Sequence, residues 1–322
     1  ARARERTARV DEVMGGSWAE AYGGSLPEAR IAARRPARAP DMGADAEPLR
    51  ILAGPTASGK TALAVAVARS AAAEVLSMDS MLVYRGLDVG TAKPTRAERG
   101  GVPHHLIDLV EPSQPFTVSD WLAAAERVLA DVRRRGRAAL FVGGTAFYLK
   151  ALLVGLFAGP DVDPARRSEL EERYDREGAT ALHAELSRVD PRSAARLHPN
   201  DRKRIVRALE VWGQTGRPLS EWQREWGWAG TRGAAARPHR MVALTLEPAE
   251  LERCLRARTR ARLEAGWTDE VRALLAAGGL GPTARQALGD AEVIALVEGR
   301  LSAAEAEERI VVRTRRFARK QR

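Results

Sequence analysis

The sequence predicts an α/β fold: a phosphate-loop NTPase-like parallel sheet flanked by helices, carrying an inserted helical domain and a helical C-terminal segment. Three observations carry this. Gly54, Pro55, Thr56, Ala57, Ser58, Gly59, Lys60 and Thr61 form a complete G-x-x-x-x-G-K-[ST] loop. That loop sits between an apolar run at 49–53 and an Ala/Val-rich run at 62–73, which is the strand–loop–helix setting that a phosphate cradle needs. Strand-like and helical runs then alternate, as they do in parallel sheets with helices on both faces.

In order, residues 49–53 read as the first strand and 62–73 as its helix. Residues 74–78 read as a second strand ending at Asp79-Ser80, and 105–110 (His-Leu-Ile-Asp-Leu-Val) as a third. Thr117 or Ser119 can cap a helix running to Arg135 and closed by Gly136. Residues 138–142 give a fourth strand, leading into Gly143-Gly144-Thr145 and another helix. From 164 to 226 the periodicity is helical and the charge is high, with Trp212, Trp222 and Trp226 in that stretch and Trp228 just beyond. A Gly/Ala/Pro linker covers 232–239, and 241–246 reads as a strand returning to the sheet. Helices follow from Pro248 to Gly266, onward to about Gly278, and from Ala303. The expected division is therefore a tail at 1–47, an α/β core at 48–160, a helical insertion at 161–236 and a completing segment at 237–322.

Residues 1–47 are rich in Arg, Ala and Gly without sustained periodicity, and Met42 stands just before the first strand. Residues 1–41 read as a disordered tail or translated upstream sequence, and neither a transit peptide nor a secretory signal fits them. The single cysteine, Cys254, excludes an internal disulfide framework and suits a reducing compartment. No apolar run approaches the roughly 20 residues of a membrane helix, so a cytoplasmic, membrane-free protein is expected. The net charge of +10 and pI near 10.5 suggest a polyanionic partner such as nucleic acid. Arginine outnumbers lysine so heavily that genome composition is a second source of the charge. The last helix ends in a basic cluster, Arg309, Arg313, Arg315, Arg316, Arg319, Lys320 and Arg322, with no acid after Glu308, a one-sided sign that favours a phosphate-backbone contact.

Ligands of open α/β sheets bind beyond the C-terminal strand ends. Three polar features reach that edge: the phosphate loop, Asp79 and Thr145. Consecutive amides and Lys60 suit an anion, and the Thr61 hydroxyl suits a phosphate-bound Mg²⁺. An ATPase carries a carboxylate at the end of an apolar strand to help hold Mg²⁺, but the best such strand here ends in Gly-Gly-Thr. Asp79 could serve the metal, act as a general base, or cap a turn. His104 and His105 lack a third metal ligand at suitable spacing, so a structural role is expected of them. Asn200 or Asp201 can cap a helix on which Lys203, Arg204 and Arg207 share a basic face.

With the phosphate loop, four further stretches resemble one family. They are Asp79-Ser80-Met81-Leu82 with Gly90-Thr91-Ala92-Lys93-Pro94, Pro103-His104-His105-Leu106-Ile107-Asp108, Val142-Gly143-Gly144-Thr145, and residues 198–211. In this order they are similar to the tRNA dimethylallyltransferases, also called tRNA isopentenyltransferases, from about residue 49 to 322. The resemblance implies transfer of dimethylallyl from its diphosphate to N6 of the adenosine beside the anticodon, in tRNAs reading codons that begin with U. The loop Gly54 to Thr61 would then hold a diphosphate leaving group, with Mg²⁺ on Thr61. Asp79, Thr145 and Lys60 would be catalytic: Asp79 as acceptor of the N6 proton, Thr145 near the acceptor or diphosphate, Lys60 on the departing charge. The target base must leave its stack to reach such a pocket. Asp79, Ser80, Met81, Leu82, Arg167, Lys203, Arg204, Ile205, Val206, Arg207, Gln286, Ala287, Leu288 and Gly289 would face the anticodon stem-loop of a tRNA, and a monomer is expected.

The chain departs from the family at Leu82, where many relatives carry Gln, and at Asp290, where a Gln-Ala-Leu-Gly-Tyr pattern would place an aromatic. Relatives continue past the position of Arg322, which implies an incomplete chain. Competing readings are an adenylate isopentenyltransferase acting on free nucleotide, a small-molecule kinase and a non-catalytic tRNA-binding protein. The basic helical insertion argues against the first, since a free nucleotide needs no such grip.

Overall fold

A computed structural model describes residues 30–34, 47–156, 159–225 and 237–321. Trp226 and Trp228, most of the linker and Arg322 lie outside them. The strands are β1 (Arg30–Arg34), β2 (Leu49–Ala53), β3 (Ala73–Met78), β4 (His104–His105), β5 (Ala138–Gly143) and β6 (His239–Thr245). They form one sheet in the order β1-β6-β2-β5-β3-β4, parallel throughout except for β1, which runs antiparallel to β6. Strand β1 falls inside the stretch set aside as tail. Its apolar run is only three residues long, Ile31-Ala32-Ala33 between arginines, and it pairs along an otherwise open edge of the sheet.

The centre of the sheet follows from its sequence. All six residues of β3 are buried, as expected of a strand covered on both faces. The register sets Ile51 and Leu76 on either side of Phe141. Helix α1 (Lys60–Ser70) packs Leu63, Ala64 and Val67 into a cluster with Leu140, Val242 and Leu244. Helix α2 (Val118–Arg134) begins at Thr117, whose side chain forms a reciprocal capping box with Asp120. It delivers Trp121, fully buried, which stacks on Tyr148 at 4.4 Å, meets Phe141 edge-on and donates to the Ser77 carbonyl at 3.1 Å.

The expected strand at 105–110 shrinks to two residues. Leu106 and Asp108 adopt left-handed backbone, φ 64° and 54°, which ends the extended run. Asp108 instead pairs with the buried Lys93, which also holds Asp88 and the Tyr84 carbonyl. His105 bonds the buried Glu74 at 2.7 Å, and Arg135 grips the same carboxylate with both guanidinium nitrogens. The Arg135 bonds, ahead of the His105 bond, hold Glu74 down at about 2. The histidines thus fasten the edge of the sheet.

The chain divides into two compact units. The sheet unit is completed by α3 (Ala146–Val154), α9 (Pro248–Glu264), α10 (Trp267–Ala276), a 3₁₀ turn at Ala284–Gln286, α11 (Asp290–Val297) and α12 (Ala303–Lys320). Helix α12 opens on a Ser302–Glu305 capping box and buries Ala306, Ile310, Val311, Thr314 and Ala318, a stripe at helical spacing. Two of its arginines are engaged within the fold, Arg313 with Glu292 and Arg315 with Glu252; Arg309, Arg316, Arg319 and Lys320 are exposed. The second unit, Val154–Ala236, begins before the expected boundary at 161. It packs α4 (Pro164–Glu177), α5 (Ala179–Val189), α6 (Pro191–Ala194), α7 (Arg202–Thr215) and α8 (Leu219–Glu225) around Leu170, Leu182, Leu186, Ile205, Leu209 and Leu219. No helix among the described residues is long and apolar enough to cross a membrane.

Candidate active site

The phosphate loop leaves β2 at Gly54 and turns through Ala57 (φ 62°) and Gly59 (φ 80°) into the first residue of α1, Lys60. A side chain at Gly54 would put its Cβ 2.9 Å from the Leu244 carbonyl, so the first glycine lets the loop pass close over β6. The first-turn amides of α1 have no partner within the helix and face an anion position. Lys60 folds back over the loop, donating to the Pro55 carbonyl at 2.6 Å. Burial pushes its ammonium down to about 8, with Arg258 adding to the depression and Asp79 opposing it.

The other strand ends converge here. Thr145 accepts the Ser80 N–H on its hydroxyl at 3.2 Å, joining the loops after β5 and β3. One Asp79 oxygen caps the local turn by accepting the Met81 N–H at 2.8 Å. The turn cap leaves the second oxygen available, since it takes no hydrogen bond among the described residues. Gly143 explains the missing strand-end carboxylate. A Cβ there would lie 2.1 Å from the Met78 carbonyl, so no side chain fits at the end of β5.

Three residues of this site carry no motif. Arg258 of α9 donates to the Thr56 hydroxyl at 3.1 Å and is half-buried near Asp79; desolvation, foremost, lowers its affinity for its proton. One turn on, Arg262 lies 3.8 Å above the Trp267 ring and donates to the Val89 carbonyl, while its Nη2 is buried without a partner among the described residues. Burial, then the neighbouring Arg258, pull it down to about 9. Gln321 accepts the Thr56 N–H. Arg258 therefore disfavours the charge of both Lys60 and Arg262, and Asp79 attracts both Lys60 and Arg258. Ser58, fully buried in the loop, also has a hydroxyl without a partner among the described residues. Such a nest stores unmet demand for a polyanion.

The remaining predicted residues stand on other elements. Gln286 is exposed, Ala287 and Gly289 are buried and Leu288 is half-buried, on the turn leading into α11. In the helical unit, Lys203 and Arg204 are exposed on α7. Asp201 is the N-cap residue but does not cap through its side chain, which pairs with Arg204. Arg167 and Arg207 both hold Glu210, fully buried, whose other oxygen accepts the Asp163 N–H. Ile205 and Val206 are corrections to the expected RNA face. At 0% and 2% exposure their side chains belong to the helical core, because α7 turns its apolar stripe inward between the basic positions.

A phosphate loop with a half-buried cation cluster beside it, and Asp79 and Thr145 on neighbouring strand ends, make a phosphate-loop α/β protein with a site suited to a phosphorylated ligand. The IPP transferase profile matches residues 82–322, and the isopentenyl transferase profile matches residues 47–109. The chain is 51% identical to the tRNA dimethylallyltransferase of Methylibium petroleiphilum, over 71% of this chain and 70% of that one. It is 43% identical to the tRNA dimethylallyltransferase of Sorangium cellulosum, over 88% and 93%. Among solved structures, the tRNA isopentenylpyrophosphate transferase of Bacillus halodurans aligns with a TM-score of 0.60 at 36% identity, over 86% of each chain. A eukaryotic dimethylallyltransferase acting on tRNA aligns at 0.70 and 26% identity, over 86% of this chain and 69% of that one. The chain belongs to the IPP transferase family.

Proposed function

We propose that this protein is a prenyltransferase that moves a dimethylallyl group from dimethylallyl diphosphate to N6 of an adenosine beside the anticodon of tRNA, releasing diphosphate. The observation that carries this reading is the half-buried Lys60–Arg258–Arg262 cluster beside the phosphate loop, where Arg258 donates to the Thr56 hydroxyl and Asp79 attracts both Lys60 and Arg258. A nucleotide hydrolase would place a second carboxylate at the end of β5, where Gly143 excludes one. The names of the relatives supply the acceptor.

In the reaction, adenosine N6 attacks C1 of the allyl group, the C1–O bond to diphosphate breaks, and its electron pair leaves on the diphosphate. Asp79 accepts the N6 proton through the oxygen not engaged by Met81. Charge grows on the leaving diphosphate, and the loop amides, Lys60 and Arg258 are arranged to meet it. Thr145 fixes the Asp79–Ser80 turn through its bond to the Ser80 N–H. For Mg²⁺, the described residues contain no group of three carboxylate, histidine or cysteine ligands. An ion of this type binds through one or two protein oxygens plus substrate phosphates and waters. The exposed Thr61 in the first turn of α1 fits that mode and would hold the ion against the diphosphate, where it would neutralise developing charge. The helical unit, with Lys203 and Arg204 exposed, is the proposed grip on the anticodon arm.

The deciding experiment offers labelled dimethylallyl diphosphate and Mg²⁺ with an anticodon stem-loop carrying adenosine, and separately with AMP. Label in the stem-loop alone is the expected result. Label in AMP alone would move the protein to the free-nucleotide enzymes. Label in neither would overturn the transferase reading.

A further inference from the structure

Gln321 is the C-cap residue of α12, and its carboxamide spans two strand-end loops. Its Oε1 accepts the Thr56 N–H at 2.9 Å, and its Nε2 donates to the Gly144 carbonyl at 2.8 Å. Those partners stand on the loops after β2 and β5, which are neighbours in the sheet. Gly144 admits this contact because it has no side chain. A Cβ there would lie 2.5 Å from Gln321 Nε2 and 2.7 Å from the Gly54 carbonyl. The loop residue that Gln321 holds by its amide is the same one that Arg258 holds by its hydroxyl. The residue after Gly144 is Thr145, which in turn holds the turn bearing Asp79.

We propose that Gln321 is a positioning residue: its carboxamide staples the phosphate loop to the Gly144–Thr145 turn and sets the spacing between the diphosphate site and the groups that face the acceptor. The reacting atoms in this statement rest on the proposed transferase function. A carboxamide suits the task because it presents one acceptor and one donor in a fixed plane, as required to bridge an N–H and a C=O. Helix α12 is anchored at its start by a capping box and along its length by buried Ile310, Val311 and Ala318, so it delivers this amide from a rigid element. A loop already held on both sides reorganises less as charge develops on its ligand.

The test uses the full chain with Gln321→Met, which keeps the length of the side chain and removes both bonds. It also uses Gln321→Glu, which keeps the shape and the bond to Thr56 but turns an acceptor toward the Gly144 carbonyl. Four quantities are read: kcat, KM for dimethylallyl diphosphate, stem-loop Kd, and affinity for inorganic pyrophosphate with Mg²⁺. Thermal unfolding is followed alongside. The expected result for both variants is a fall in kcat of about 10–100-fold, the scale of a small misplacement of reacting groups. Pyrophosphate binding weakens severalfold, while stem-loop Kd and the unfolding midpoint stay close to wild type. Unchanged kcat and pyrophosphate affinity in both variants would overturn the staple. So would a loss shared equally by stem-loop binding and the unfolding midpoint, which is the mark of general loosening. A wild-type protein that binds pyrophosphate but transfers nothing would sink the transferase reading instead. The pyrophosphate affinities of the variants would still decide the role of Gln321.

Discussion

Arg258 donates to the hydroxyl of Thr56 at 3.1 Å, bringing a helix 202 residues downstream into the phosphate loop. The bond shows how the site is divided between near and distant sequence. The loop supplies amides and one lysine, and α9 supplies the rest of the positive charge from the far side. Arg258→Ala should therefore lower kcat/KM for dimethylallyl diphosphate by about 10²–10³, the usual effect of removing one group that meets developing charge. Arg258→Lys should recover part of the loss, since it returns the charge without the planar fork. Steady-state kinetics with the diphosphate varied would check both. Equal activity of Ala and wild type would remove Arg258 from the diphosphate site.

Among the described residues Asp79 accepts a hydrogen bond on one oxygen only, so the turn cap and the proposed base can be separated. Asp79→Asn keeps an oxygen for the Met81 N–H and removes the base, whereas Asp79→Ala removes both. Each should lower turnover by about 10²–10⁴ while stem-loop Kd stays largely unchanged. If Asn restored wild-type turnover, Asp79 would be a turn cap and nothing more.

The basic helix α7 makes a third contrast between adjacent residues. Lys203 is exposed, and Lys203→Ala should weaken stem-loop binding and reduce the slope of log Kd against log salt by about one. Ile205 is fully buried, so Ile205→Ala should destabilise the helical unit by roughly 2–4 kcal/mol and leave the salt slope alone. Binding titrations at several salt concentrations, paired with urea unfolding, separate the two. A salt slope unchanged by Lys203→Ala would argue against the phosphate contact.

What could be read from the sequence was local. The phosphate loop, Asp79 and Thr145 each follow a strand within a few residues, so strand order alone brings them to one edge. The failures have physical causes. The run at 105–110 has the composition of a strand, but the Lys93–Asp108 pair accompanies a left-handed backbone that composition does not report. Arg258 and Arg262 were missed because α9 alternates Arg256, Arg258, Arg260 and Arg262. Arg256 and Arg260 face outward to Glu308 and Glu307. Arg258 and Arg262 instead continue the stripe begun by buried Leu251 and Leu255, at spacings of three and four. Arginines on an apolar stripe were the available signal. Gln321 closes a stretch, residues 314–321, that resembles the family's last helix, but its role depends on where the end of α12 arrives, which no local pattern states.

Asp290 gives the last prediction, and it turns on pH. It occupies the position where the resemblance implies an aromatic, it is 2% exposed, and it accepts the Trp267 indole N–H at 3.1 Å. Its other oxygen has no partner among the described residues. Burial, opposed by the Trp267 bond and by Arg262, raises it from 3.8 to about 6. The folded state then binds this proton more tightly than the unfolded state. Stability is favoured where both forms are protonated, below about pH 4, and falls as pH rises toward 6. Above pH 6 the penalty is complete, on the order of 2–3 kcal/mol. Asp290→Asn keeps an oxygen for the indole and cannot ionise. It should be more stable than wild type at pH 7.5 by roughly 1–3 kcal/mol, less whatever the lost attraction to Arg262 contributed, and nearly equal to wild type at pH 4. Urea unfolding at those two pH values measures the difference directly. An advantage of Asn that is the same at both would mean that Asp290 does not titrate in this window, and that its buried carboxylate is held charged by Arg262 above the Trp267 ring.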